Sequence, residues 1–135
     1  MTPTFRLATN DDGPVIANLC RLCEFVELDA ADWSDIAPYW VVAEHEERIV
    51  GALQVCLAKP IGRLEFMAVH PMLPERDRAR VARHLGAYGD LVLRKHGVAY
   101  SAFHIAFTER AMKRALKRRG AVVMQSGNLM LKRCA

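Results

Sequence analysis

Between residues 39 and 69 the apolar residues fall into three short runs separated by two tight polar turns, and this segment restricts the possible folds more than any other. Trp40, Val41 and Val42 lead into Glu44-His45-Glu46-Glu47-Arg48, and Ile49, Val50, Leu53, Val55 and Leu57 follow. Lys59-Pro60-Ile61-Gly62 makes the second turn, and a third run over 64–69 is stopped by His70-Pro71. Connections this short leave no room for a crossover. The segment therefore predicts three strands meandering antiparallel.

On both sides the period becomes helical. A short strand at 4–8 precedes the capping candidates Asn10, Asp11 and Asp12 and the pair Gly13-Pro14, after which Ile16, Leu19, Cys23 and Val26 put one stripe on a helix running to about Phe25. Residues 29–35 read as a short helix or turn closed by Pro38. The longest helix spans 74–97, with Val81, Leu85, Tyr88 and Val92 on one face and Gly97 as its stop. A strand at 99–107 follows. A helix at 109–119 carries Met112, Ala115 and Leu116 on one face and ends at Gly120. Strands at 121–124 and 129–132 close the chain. The expected fold class is α+β (mixed α/β): a largely antiparallel sheet of about 6–7 strands flanked by 3–4 helices, in one domain over 1–135.

Composition narrows the function classes. In 135 residues, 52% hydrophobic and 25% charged, no apolar run approaches the ~18 residues that span a bilayer, and the first ten residues lack a signal peptide's pattern. A soluble, cytoplasmic protein without a membrane partner is expected. Residues 1–60 hold 4 Lys/Arg against 10 Asp/Glu, whereas 61–135 hold 15 against 5, so the C-terminal half offers a positive surface to some anion. Cys20 and Cys23 form a short pair, but Cys56 and Cys134 stand alone and the five histidines are scattered; no metal site is expected, and the cysteines read as small core residues.

The segments together resemble the GNAT superfamily of N-acetyltransferases. Phe5-Arg6-Leu7-Ala8-Thr9 with Asp12, Ile16 and Leu19 is similar to that family's first strand and helix. Trp40-Val41-Val42-Ala43-Glu44 with Ile49-Val50-Gly51-Ala52-Leu53 resembles its hairpin, and Phe66-Met67-Ala68-Val69-His70-Pro71 the strand end that leads into its cofactor loop. Ala111 and Arg119-Gly120-Ala121 resemble its last helix and the glycine turn after it.

The departures fall where the cofactor would sit. The family's loop runs Arg or Gln, two residues, Gly, one residue, Gly or Ala, and its backbone N–H groups close on a pyrophosphate. In the register set by Val81 and Leu85, Ala82 takes the last small position, Arg80 the first glycine's place and Asp77 the Arg/Gln place, with an approach from Pro71 about three residues longer than usual. Thr108 stands at the family's usual Asn and Leu116 at the Tyr that commonly protonates the departing thiolate.

The resemblance implies that backbone N–H groups around Met67 to Val69 receive the thioester carbonyl of acetyl-CoA, and that Val81, Ala82 and Thr108 lie along the cofactor. Glu65 shares a face with Met67 if pleating is regular; it is the candidate base, or else a surface glutamate paired with Arg63. Arg76, Arg78, Arg80 and Arg83 either grip the phosphates in place of the missing glycine amides or form a solvated basic face, and Arg80 could instead fill the site. The last helix, with Arg110, Lys113, Arg114, Lys117, Arg118 and Arg119, lacks interleaved aromatics, so nucleic acid is not expected as the main partner. His104 reads as structural, and Trp33, Tyr39 and Trp40 as core or as cleft lining. Two functions stand side by side. One is an N-acetyltransferase acting on a small-molecule or protein amine. The other is a GNAT-fold protein without the reaction, similar to small phage-type members, serving as a binding component or part of a virion.

Overall fold

The structure is a computed structural model that describes residues 1–23, 39–104, 110–123 and 129–134. The expected helix or turn at 29–35, Trp33 within it, Thr108 and the final turn at 125–128 lie outside the described residues. The elements are β1 (Thr4–Leu7), a 3-10 turn (Asn10–Asp12), α1 (Gly13–Leu22), β2 (Trp40–His45), β3 (Arg48–Cys56), β4 (Ile61–Val69), α2 (Glu75–Lys95), β5 (Tyr100–His104), α3 (Arg110–Arg118), β6 (Val122–Val123) and β7 (Leu129–Arg133). Hydrogen bonding orders the strands β1-β2-β3-β4-β5-β7-β6. The pairs β1–β2, β2–β3, β5–β7 and β6–β7 are antiparallel, and β4–β5 is parallel. One parallel pair needs one long crossover, and α2 supplies it. The fold class is therefore mixed α+β with a largely antiparallel sheet.

The chain divides into two compact units, Met1–Gln54 with Phe66–Gly89, and Val55–Glu65 with Asp90–Ala135. In the first, Ile16, Leu19 and Cys20 of α1 pack on Trp40, Val42, Ala52 and Ala68. Trp40 is fully buried and so belongs to the core, whereas Tyr39 is exposed. Val81 and Leu85 of α2 are also fully buried, as their spacing requires. A Cβ at Gly51 would stand 2.7 Å from Val81 Cγ1 and 2.9 Å from Leu85 Cδ1, so the helix seats this closely only over a glycine. The β2–β3 turn is tighter than its five-residue polar cluster suggests. His45 pairs with Arg48, which leaves Glu46 and Glu47 at φ 49 and 61, the left-handed pair of a two-residue hairpin that glycine or asparagine adopts more cheaply.

In the second unit both helix ends follow from glycine. Gly97 (φ 75) donates to Arg94 O and Val98 N–H to Leu93 O, and Gly120 (φ 85) and Ala121 repeat the pattern onto Lys117 O and Leu116 O. These are complete Schellman caps, with Leu93 and Val98 buried together at the first and Leu116 and Ala121 at the second. Deeper in this unit, Lys132 Nζ lies 2.5 Å from Asp90 Oδ2, and the fully buried Ser101 hydroxyl donates to Asp90 Oδ1 at 2.9 Å.

The cysteine thiols are free. Burial, with the nearby Cys23, pushes Cys20 up to about 11, and burial raises Cys23, Cys56 and Cys134 as well. None is poised as a thiolate nucleophile.

Candidate functional site

β4 carries an irregularity next to the candidate site residues Glu65 and Met67. Its parallel ladder with β5 runs from Ile61↔Tyr100 to Leu64↔Phe103, and two residues later Phe66 takes φ 52, an uncommon conformation for a bulky residue. A Cβ on Gly62 would point at Leu93 of α2, and Met67 Cε lies 3.9 Å from a Cβ on Gly86 of the same helix. The positive φ of Phe66 interrupts the regular pleat on which a shared face for Glu65 and Met67 depends. Glu65 has its Oε1 3.8 Å from Arg63 Nε and its other oxygen 4.0 Å from Cys56 Sγ. Met67 and Val69 are half-buried, and the Val69 carbonyl accepts from the Cys23 thiol.

The start of α2 differs from the loop that the sequence register implies. The helix begins at Glu75, and Asp77 and Arg78 N–H both donate to Pro74 O at 2.9 Å. Arg80 and Ala82 consequently sit in the second turn, with their amides inside the helical ladder rather than facing a ligand. The first turn carries two carboxylates, Glu75 and Asp77. Arg78 and Arg83 are exposed, as is Arg76. Arg80 points elsewhere: its guanidinium donates to the Met1 carbonyl at 3.1 Å. It stands one turn before His84 and two before Tyr88, whose rings pack on Phe5. Leu116, at the family's tyrosine position, is a buried core residue.

A cleft of about 590 Å³ opens in the first unit between α1, the β2–β3 hairpin and the segment after β4. Sequence reasoning did not anticipate it. Arg6 anchors one wall, bonding both oxygens of Asp12 (2.7 and 3.0 Å) and Glu44 Oε2 (2.8 Å). The guanidinium lowers the Asp12 pKa chiefly through these hydrogen bonds, and Asp12 also accepts from the Thr9 N–H. The other lining includes apolar side chains (Val15, Leu22, Met72), Arg48, His70 and the neutral polar Asn18. The only signal for this network lay in strand register: Thr4 pairs with Glu44, which sets Arg6 one step along the same face of β1. Register is not readable before the strands are paired. Among the described residues no group of three His, Cys, Asp or Glu could hold a metal, and no helix is long and apolar enough to cross a membrane.

No family profile and no curated protein matches the sequence. Solved structures do match. The ribosomal-protein-S18-alanine N-acetyltransferase of Escherichia coli is 13% identical, with a TM-score of 0.81 over 99% of this chain and 95% of that one. An acetyltransferase of the GNAT family from Staphylococcus aureus Mu50 is 9% identical, with a TM-score of 0.78 over 99% and 100%. N-acetylglutamate synthase from Neisseria gonorrhoeae, complexed with coenzyme A and N-acetyl-glutamate, is 16% identical with a TM-score of 0.75 over the whole of this chain. The chain spans only 36% of that protein's length. With its strand order, its parallel β4–β5 pair and these likenesses taken together, the chain has the fold of the GNAT N-acetyltransferases.

Proposed function

We propose that the protein is an acetyl-CoA-dependent N-acetyltransferase acting on an amine. The observation that carries this reading is Phe66: a bulky residue held at φ 52 costs free energy, and such strain persists where it aims backbone or side chains at a task. In this reading the N–H groups of Met67 to Val69, just past the kink, polarise the thioester carbonyl. Glu65, held by Arg63, takes the proton of the attacking ammonium directly or through a water, and solvent reprotonates the thiolate because Leu116 has no proton to give. The phosphates fall to the side chains of Arg78 and Arg83, since the helical amides of Arg80 and Ala82 are already used.

The acidic first turn of α2 supports a second reading, a GNAT-fold protein that binds a partner without catalysis. Glu75 and Asp77 occupy the helix end where a phosphate would otherwise be welcome. Calorimetric titration with acetyl-CoA separates the two. The transferase reading expects binding, about 2.7 kcal/mol of added stability at a hundredfold excess over Kd, and a loss of about 1.5 to 3 kcal/mol of affinity in Arg78→Ala or Arg83→Ala. Absence of heat and of any melting shift at millimolar acetyl-CoA would overturn it in favour of the second reading.

A further inference from the structure

The two units differ in charge far more than the chain's net +4 shows. By sequence the first unit holds seven Lys and Arg against twelve Asp and Glu, and the second twelve against three. Two of those three carboxylates are consumed inside the unit, Asp90 by the buried Lys132 and Glu65 by Arg63. The excess is concentrated on α3, which has no acidic residue. Arg110, Lys113, Arg114, Lys117 and Arg118 recur at steps of three and four, so they fall within about 140° of the helix circumference. Leu116 turns to the core from the other side, and the four arginine and lysine positions 110, 114, 117 and 118 are exposed.

We infer that this face of α3 is a docking surface for duplex DNA, gripping the phosphate backbone without reading sequence. The cores of protein–protein interfaces are depleted of charged side chains and built around packed aromatics, whereas the stripe consists of lysine and arginine alone. Single strands are held by stacking on aromatics, which are also missing from α3. An α-helix with its side chains is about 10–12 Å across, which the ~12 Å wide major groove of B-form DNA admits. An A-form RNA duplex has a major groove too narrow for such an element. The surface is independent of the transferase reading and stands or falls without it.

Fluorescence anisotropy with a labelled 20-base-pair DNA duplex tests the inference on the full chain. Binding is expected at 50 mM NaCl and should weaken about a hundredfold by 200 mM if about four phosphates are contacted. Arg114→Gln with Lys117→Gln should reduce the salt slope by about two, while the equal charge loss in Arg21→Gln with Arg48→Gln leaves it unchanged. Melting curves of both variants establish that they are folded. The inference is overturned by absence of binding at 50 mM, by equal weakening in both double variants, or by a poly-glutamate peptide binding as tightly as the duplex. Tighter binding of an RNA duplex or of single-stranded DNA would overturn it equally.

Discussion

Arg6 and Lys132 each hold carboxylates in their own unit, and their surroundings make the same chemistry do different work. Arg6 is 41% exposed at the wall of the cleft and reaches two partners, Asp12 and Glu44. Lys132 and Asp90 are 6% and 9% exposed, with Ser101 completing the shell. Water screens the first network and leaves its groups adjustable, as a ligand-facing wall needs. The second is dry. Its attraction is offset by the cost of removing both charges from water, so what it supplies is the position of β7 against α2 rather than a large net stability.

The largest expected effect tests this distinction directly. Lys132→Ala leaves Asp90 buried without its cation and should cost about 3 to 5 kcal/mol in urea unfolding. Replacing both partners, Asp90→Asn with Lys132→Met, should recover most of that loss. A double variant as unstable as the single one would show that the pair contributes stability in its own right.

Asp12→Asn in the first network should cost less, about 1.5 to 3 kcal/mol at neutral pH. Arg6 lowers the Asp12 pKa in the folded chain, so this contribution is complete above the unfolded value near 3.9 and is lost as pH falls through the lower folded value. The stabilities of parent and variant should therefore converge in acid. A difference that persists unchanged well below pH 3 would mean that the ion pair is not its source.

The smallest effect sharpens the comparison by altering the hairpin that carries Glu44 without touching the network. Glu47 occupies φ 61, where a side chain costs about 1 to 2 kcal/mol. Glu47→Gly should raise stability by about 1 kcal/mol, read as a higher melting temperature. A fall would show that the carboxylate at 47 has a role at the cleft that outweighs the strain.

Legibility followed the range of the interaction. The Gly97 and Gly120 stops, the buried Val81 and Leu85 and the succession of helices and strands along the chain are set by neighbours within a few residues or by periodicity, and all of them were readable. The placing of the cofactor loop was not. Matching Val81 and Leu85 to a family pattern put that loop at Asp77 to Ala82, inside the helix that was expected from 74 and begins at Glu75, where Pro74 O accepts from both Asp77 and Arg78. The kink at Phe66 was equally hidden, since nothing in Leu64-Glu65-Phe66-Met67 departs from a strand pattern.

The sequence alone determined which segments are helix and strand, where the helices stop and which residues are buried, because propensity, capping and hydrophobic period act over short spans of chain. Only the tertiary structure decided that Phe66 leaves the regular pleat, that Arg80 serves the Met1 carbonyl and that Arg6, Asp12 and Glu44 meet at one cleft. Those outcomes depend on strand register and on a backbone dihedral that the surrounding packing holds away from its local preference, and neither quantity exists until distant parts of the chain are in contact.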